Sequence, residues 1–148
     1  MLNDIYSRRI LELAANIPHL GRLPEPDASA TARSKLCGST VTVDLKLDGN
    51  VVMAFAHDVK ACALGQASSA IMGQHVIGST ADELREVREA ANRLLKADGE
   101  PPRGKWQDLK VLEPLREYKA RHASILLTFD AVVAALDQIE ARRAGSGQ

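Results

Sequence analysis

The chain has 148 residues, 45% of them hydrophobic and 26% charged, with nineteen basic side chains balancing nineteen acidic ones. That is enough chain to bury a core without staples, and the composition excludes disordered and collagen-like classes. A neutral balance gives no bulk pull toward nucleic acid or an anionic membrane, and 3% aromatic content leaves no stacking platform for single strands.

In chain order, Ile5, Ile10, Leu11, Leu13 and Ala14 recur at helical spacing, which predicts a helix over 2–16 that ends before Pro18. Gly21, Pro24, Pro26 and small residues up to Thr31 read as a loop. Val41, Val43, Leu45 and Leu47 then alternate with polar residues, Asp48-Gly49 signals a tight turn, and Val51, Met53 and Phe55 resume the alternation. This predicts antiparallel strands over 39–47 and 51–57. A lone hairpin is marginal in water, so a third strand is expected from the weakly patterned 28–36.

After Cys62 the period turns helical through Leu64, Ala67, Ser68, Ile71, Met72 and His75, with Gly78 as the stop. Thr80 caps the next helix ahead of Asp82 and Glu83, and Leu84, Val87, Ala91, Leu94 and Leu95 form its apolar stripe. The charges between them, Glu83 to Arg93, read as a solvated face. Trp106, Leu109, Leu112 and Leu115 suggest a short helix after the 98–102 break. A last helix over 122–142 buries Ile125, Leu126, Phe129, Val132, Val133, Leu136 and Ile139, and 143–148 reads as a tail. The layout is α+β, one domain over 1–148: a small antiparallel sheet of two or three strands with helices packed on one face. No apolar run is long enough to read as a bilayer span and the opening residues lack a signal-peptide pattern, so a reducing, cytoplasmic setting is expected.

Cys37 precedes the first clear strand and Cys62 follows the second, so a paired hairpin would bring both thiols to one end. Cys62 also stands at a helix start, where backbone N–H groups and the helix dipole favour a thiolate, with Lys60 as a further cation if it turns that way. The alternative is that both are small core residues. Of the histidines, His19 reads as solvated, His57 as closing the second strand, His75 as a core residue and His122 as opening the last helix; each alone is a weak ligand candidate. There is no P-loop, dinucleotide fingerprint, GxSxG or HExxH.

Three segments resemble the NifU-like iron–sulfur cluster assembly scaffolds, the IscU/SufU family. Leu36-Cys37-Gly38-Ser39 is similar to that family's Cys-Gly-Asp motif. Ala61-Cys62-Ala63-Leu64-Gly65-Gln66-Ala67-Ser68 is similar to its second-cysteine helix, and Leu112 to Leu126 to the block carrying its third cysteine. Asp4-Ile5-Tyr6 fits the family's first helix. The 99–112 stretch and the absence of a Leu-Pro-Pro-Val-Lys motif lean toward the SufU-like subtype. The resemblance implies a scaffold or sulfur-accepting factor rather than an enzyme. It implies a metal site at Cys37 and Cys62 with His122 as auxiliary ligand, a [2Fe–2S] cluster or zinc as cargo, and a cysteine desulfurase and other assembly proteins as partners, without nucleic acid or membrane.

Two departures bear on that site. Ser39 stands where the family has aspartate, and Ala123 where it has the third cysteine. Alanine cannot ligate, and serine is a poor ligand for zinc or iron. One chain would therefore offer Cys37, Cys62 and His122 with an open position, or a homodimer would offer four thiolates. The same departures support an alternative: a degenerate member without its own cluster, acting as a binding or regulatory module of the assembly machinery. A thiol-redox role for the Cys37/Cys62 pair is the third reading.

Overall fold

The computed structural model describes residues 4–35 and 38–145, with backbone alone over 4–7. Helix α1 (Asp4–Ala15) leads to strand β1 (Ala28–Arg33), then β2 (Thr40–Asp48), β3 (Val51–Lys60), α2 (Ala63–His75), α3 (Ala81–Lys96) and α4 (His122–Gly145). Between α3 and α4 the chain makes 3₁₀ turns over Gly104–Glu117 and Lys119–Arg121.

The three strands form one antiparallel sheet in the order β1-β2-β3. The expected third strand is thus present, over a shorter range than 28–36. The hairpin loop is Gly49-Asn50, one residue later than expected, with Asp48 paired to Val51 and Gly49 at φ 63°. Glycine in the first loop position matches the twist of the flanking strands. β3 runs three residues beyond its expected end at 57, so His57 does not close it. His57 lies opposite Val43 and is fully buried.

Val41, Val43 and Leu45 face the helices together with Ala28, Ala30 and Phe55, all buried. The opposite face carries Ser29, Thr31, Thr42 and Asp44. Asp44 is fully buried even so, because Arg22 reaches over it. Its carboxylate accepts from Arg22 Nε at 2.8 Å and Nη2 at 3.0 Å, from Leu23 N at 2.9 Å and from Ser29 Oγ at 2.6 Å.

α4 is buried on nearly every side, against β1, β2, α2 and α3. By length and composition the stretch Lys119–Gly145 would reach across a bilayer, but 72% of its most apolar window is buried inside the fold. A helix apolar all round is what the centre of a core requires. α3 starts at a full capping box: Thr80 accepts from Glu83 N, and Glu83 accepts from Thr80 N. Its charged residues do more than meet solvent. Arg85 reaches Asp137 at 2.8 Å and Arg88 reaches Asp130 at 2.9 Å, both on α4.

The 104–117 stretch is buried through Trp106, Leu109, Val111, Leu112 and Leu115. The expected short helix is present here, as 3₁₀ turns. Pro114 removes a donor, and Trp106 at φ −96°, ψ 15° interrupts the coil.

Candidate functional site

The register Arg33↔Thr40↔Lys60 brings the ends of all three strands together. The chain enters β2 through Gly38 and Ser39 at this end, and leaves β3 here into Cys62 and α2. The turn before β2 is closed by Gly38 N to Ser34 O and by Ser34 N to Ser39 O, each 2.9 Å. Gly38 takes φ 72°, a conformation that other residues adopt only at a cost. Cys37 itself, with Leu36, lies outside the described residues.

Cys62 is half-buried at the N-cap of α2. Its Sγ lies 3.5 Å from Ser124 Oγ, and Ser124 Oγ lies 3.3 Å from Ser39 Oγ; the single Ser124 proton is donated to Sγ when Cys62 is a thiolate. Three segments remote in sequence thus meet at one thiol. Burial pushes the thiol up, but the Ser124 hydroxyl, the backbone amides of Gly65 and Leu64 and the charge of Arg121 outweigh it and hold the thiol below its ordinary value. The cation acting on Cys62 is Arg121. Lys60 is exposed in register with Thr40 at the strand end.

The closeness of α2 to α4 here depends on small side chains. A β-carbon at Gly65 would stand 2.8 Å from Ala61 Cβ, 2.8 Å from Ser124 Oγ and 3.1 Å from Ser124 O. Ser68 Oγ crosses the same junction to Ile125 O at 2.8 Å, and Gln66 Nε2 closes the turn onto Ala61 O at 2.9 Å.

His122 is buried at the first position of α4, and its Nε2 lies 3.2 Å from Leu115 O and 3.1 Å from Arg116 O. Two carbonyl acceptors require a proton on Nε2, so in the neutral tautomer the lone pair is on Nδ1. Ligating histidines commonly have this arrangement, with the second nitrogen tied to a carbonyl. Ala123 is exposed.

The other histidines lie elsewhere. His57 Nε2 meets Pro18 O at 2.8 Å, and His75 Nε2 meets Asp108 at 2.9 Å against Trp106. His19 is exposed in a loop. Among the described residues no three His, Cys, Asp or Glu side chains cluster closely enough to hold a metal ion. Among the described residues the donors here, one thiol against the Ser124 hydroxyl with Ser39 behind it, fall short of the four that a [2Fe–2S] centre takes.

Ser124 and Arg121 fall inside the Leu112–Leu126 block, and nothing in the sequence assigns either a role. A serine at the start of an apolar helix, two residues after His122, was the available signal, but only the tertiary fold shows that it faces Cys62.

The family model for the NifU-like N-terminal domain matches residues 5–143. Among curated relatives, the iron–sulfur cluster assembly scaffold protein IscU of Thermotoga maritima is 24% identical over 135 residues, covering 91% of this chain and 94% of its own. The IscU of Streptococcus pyogenes serotype M1 is 20% identical over the same length, covering 91% and 84%. Among solved structures, the N-terminal part of a nitrogen-fixing NifU-like protein from Brucella abortus is 62% identical with a TM-score of 0.90, covering 93% of this chain and 96% of that one. A SUF-system scaffold candidate from Fervidobacterium islandicum, 23% identical, shares the fold at a TM-score of 0.82 over 89% and 96%. The chain is therefore a member of the NifU-like N-terminal domain family, to which the IscU and SufU scaffolds also belong.

Proposed function

We propose that this chain is an iron–sulfur cluster assembly scaffold, and that it receives iron and sulfide at the strand end where Cys62 meets Ser124. Cys62 and Cys37 are the thiolate donors in this reading, and His122 Nδ1 is the auxiliary one. The cargo is a [2Fe–2S] cluster, with zinc as the other metal that thiolates and imidazole suit. The observation that carries the reading is the environment of Cys62. A helix start, a hydroxyl and an arginine favour the thiolate, the form of cysteine that binds metal or accepts sulfur. Membership of a family whose curated relatives are named as assembly scaffolds supports it. The sulfur donor is then a cysteine desulfurase and the setting the cytoplasm.

Anaerobic reconstitution with ferrous iron and sulfide tests this. The parent should develop thiolate-to-iron absorption, and Cys62→Ser should not. Equal absorption in both would remove Cys62 from the site. Ser39 and the exposed Ala123 favour a second reading, a docking module that carries no cluster; a parent that refuses iron in every reconstitution would support it.

A further inference from the structure

The sheet has two outer edges, and the chain treats them differently. On the β3 edge, Val52 N donates to Ser79 O and Val52 O accepts from Gly78 N. Further along, His57 exchanges bonds with His19 O and Gly21 N. Two loops thus cover that edge. The β1 edge has no such cover. Ser34 N bonds to Ser39 O, so in the register Ala28↔Leu45 to Arg33↔Thr40 the even-numbered residues of β1 bond to β2. The backbone N–H and C=O groups of Ser29, Thr31 and Arg33 therefore point away from the sheet. Among the described residues no hydrogen bond reaches these groups. The strand also lacks the devices that blunt an edge: Ala28–Arg33 has no proline and no bulge, and its one charge stands at its end.

We infer that β1 pairs edge to edge with β1 of a second copy of this chain, antiparallel about a two-fold axis at Thr31. A second copy brings the same unpaired groups at the same spacing, so both edges are satisfied at once. The register follows from the contacts. Centred on Thr31, every outward residue meets an outward residue: Thr31 faces Thr31, and Ser29 faces Arg33 of the second copy. Centred on Ala30, Arg33 would meet Asp27, whose N–H is already turned to Leu45 O. Centred on Ala32, the two Arg33 side chains would lie only two positions apart. The Thr31 register separates them by four positions, about 14 Å of strand, beyond the ~10 Å over which salt leaves charges coupled. Threonine opposite threonine is itself a favourable cross-strand pair. A six-residue edge buries less than the roughly 1,200–2,000 Å² of a stable interface, so the pair exchanges with monomer. Arg33 marks the Cys62 end of the sheet, and antiparallel pairing sets the two Cys62 ends at opposite ends of the joint. The contact therefore needs no metal, and it does not rest on the scaffold reading.

The test is sedimentation of the full chain in a chelator, from about 5 to about 500 µM, the range in which so short an edge should associate. The parent should pass from monomer to dimer with a midpoint of about 100 µM. Thr31→Pro removes an N–H that bonds nothing in the monomer and should stay monomeric. Thr31→Arg sets two cations directly opposite and should weaken pairing about tenfold or more. The register is read in a Cys37→Ser, Cys62→Ser background under mild oxidant. Thr31→Cys should link to its own copy, since directly opposed residues lie within disulfide reach, and Arg33→Cys should not. A parent that stays monomeric throughout, with no linking of Thr31→Cys, overturns the inference. So does a dimer that Thr31→Pro and Thr31→Arg leave intact, or one that forms only on adding iron or zinc. Amides of Ser29, Thr31 and Arg33 that gain exchange protection only with a different protein would assign the edge to a foreign strand and overturn it too.

Discussion

Gly65→Ala tests the junction of α2 and α4 on which the site depends. The new methyl carbon would lie 2.8 Å from Ala61 Cβ and 2.8 Å from Ser124 Oγ. Ala61 Cβ is fixed to its backbone and cannot swing away. Ser124 Oγ can rotate, but only by leaving Cys62 and Ser39, to which it now bonds at 3.5 and 3.3 Å. Alanine is favoured over glycine in a helix by about 1 kcal/mol, less in a first turn, whereas overpacking costs about 1–3 kcal/mol. The net expectation is a loss of about 1 kcal/mol, which for a chain of this size lowers Tm by about 4 °C.

The larger effect should be chemical. With Cys37→Ser as the background, alkylation by iodoacetamide reports Cys62 alone. Its rate against pH should show a midpoint below that of an ordinary thiol, and Gly65→Ala should raise that midpoint because Ser124 no longer supports the thiolate. Ser124→Ala, which removes the hydroxyl without crowding, should raise it too while costing less stability. If both variants keep the parent profile, Ser124 does not act on Cys62 and the site has been assembled from the wrong contacts.

Asp44→Asn should destabilise the fold by about 2–4 kcal/mol, since it breaks a buried charge-assisted set with Arg22, Leu23 and Ser29. Burial pushes the Asp44 carboxyl up, but those hydrogen bonds hold it below its ordinary value. Its contribution is therefore present above about pH 4 and lost as pH falls through the folded value, so urea titrations of the variant should show a flatter acid limb. Burial lowers the His57 imidazole and outweighs the hydrogen bond to the Pro18 carbonyl, which opposes it, and the His19 charge adds to the lowering. Its contribution is present above about pH 6.5 and is lost on acidification below that, so His57→Phe should lose less stability than the parent between neutral and mildly acid pH. Thr80→Ala should cost about 1 kcal/mol in chemical denaturation by removing the α3 cap, and an unchanged midpoint would show the box to be ornamental.

What the sequence could convey was what is local and periodic. The β2–β3 alternation, the Thr80 cap and the α4 stripe each announce themselves within a dozen residues. β1, Ala-Ser-Ala-Thr-Ala-Arg, did not, because alanine is a poor strand former and the strand exists by pairing with Thr40–Leu45. The 3₁₀ path over 104–117 follows from a proline and a kink whose effect depends on the surface beneath them. Arg85 and Arg88 looked solvated on a helical wheel, yet they tie α3 to α4 through partners on the other helix.

The site divides in the same way. Cys62 at a helix start was visible from its place after the hairpin. Its hydroxyl partner was not, since Ser124 lies 62 positions away from Cys62 and 85 from Ser39. No local period encodes a contact of that separation. Arg121 acts over a similar separation, whereas Lys60 stands two positions from Cys62 in the chain. The resemblance to the scaffold family implies that Ser39 and Ala123 stand at ligand positions, and only the fold shows that one is buried beside Ser124 while the other faces solvent.

The most direct test of a cargo site at the Cys62 end is the metal content of the protein as it is made. The chain is purified anaerobically without a metal-binding tag, and iron, zinc and acid-labile sulfide per chain are measured beside Cys62→Ser. The account predicts iron and sulfide in equal amounts in the parent and neither in the variant. Metal retained equally by both proteins would place the cargo elsewhere and contradict the site described.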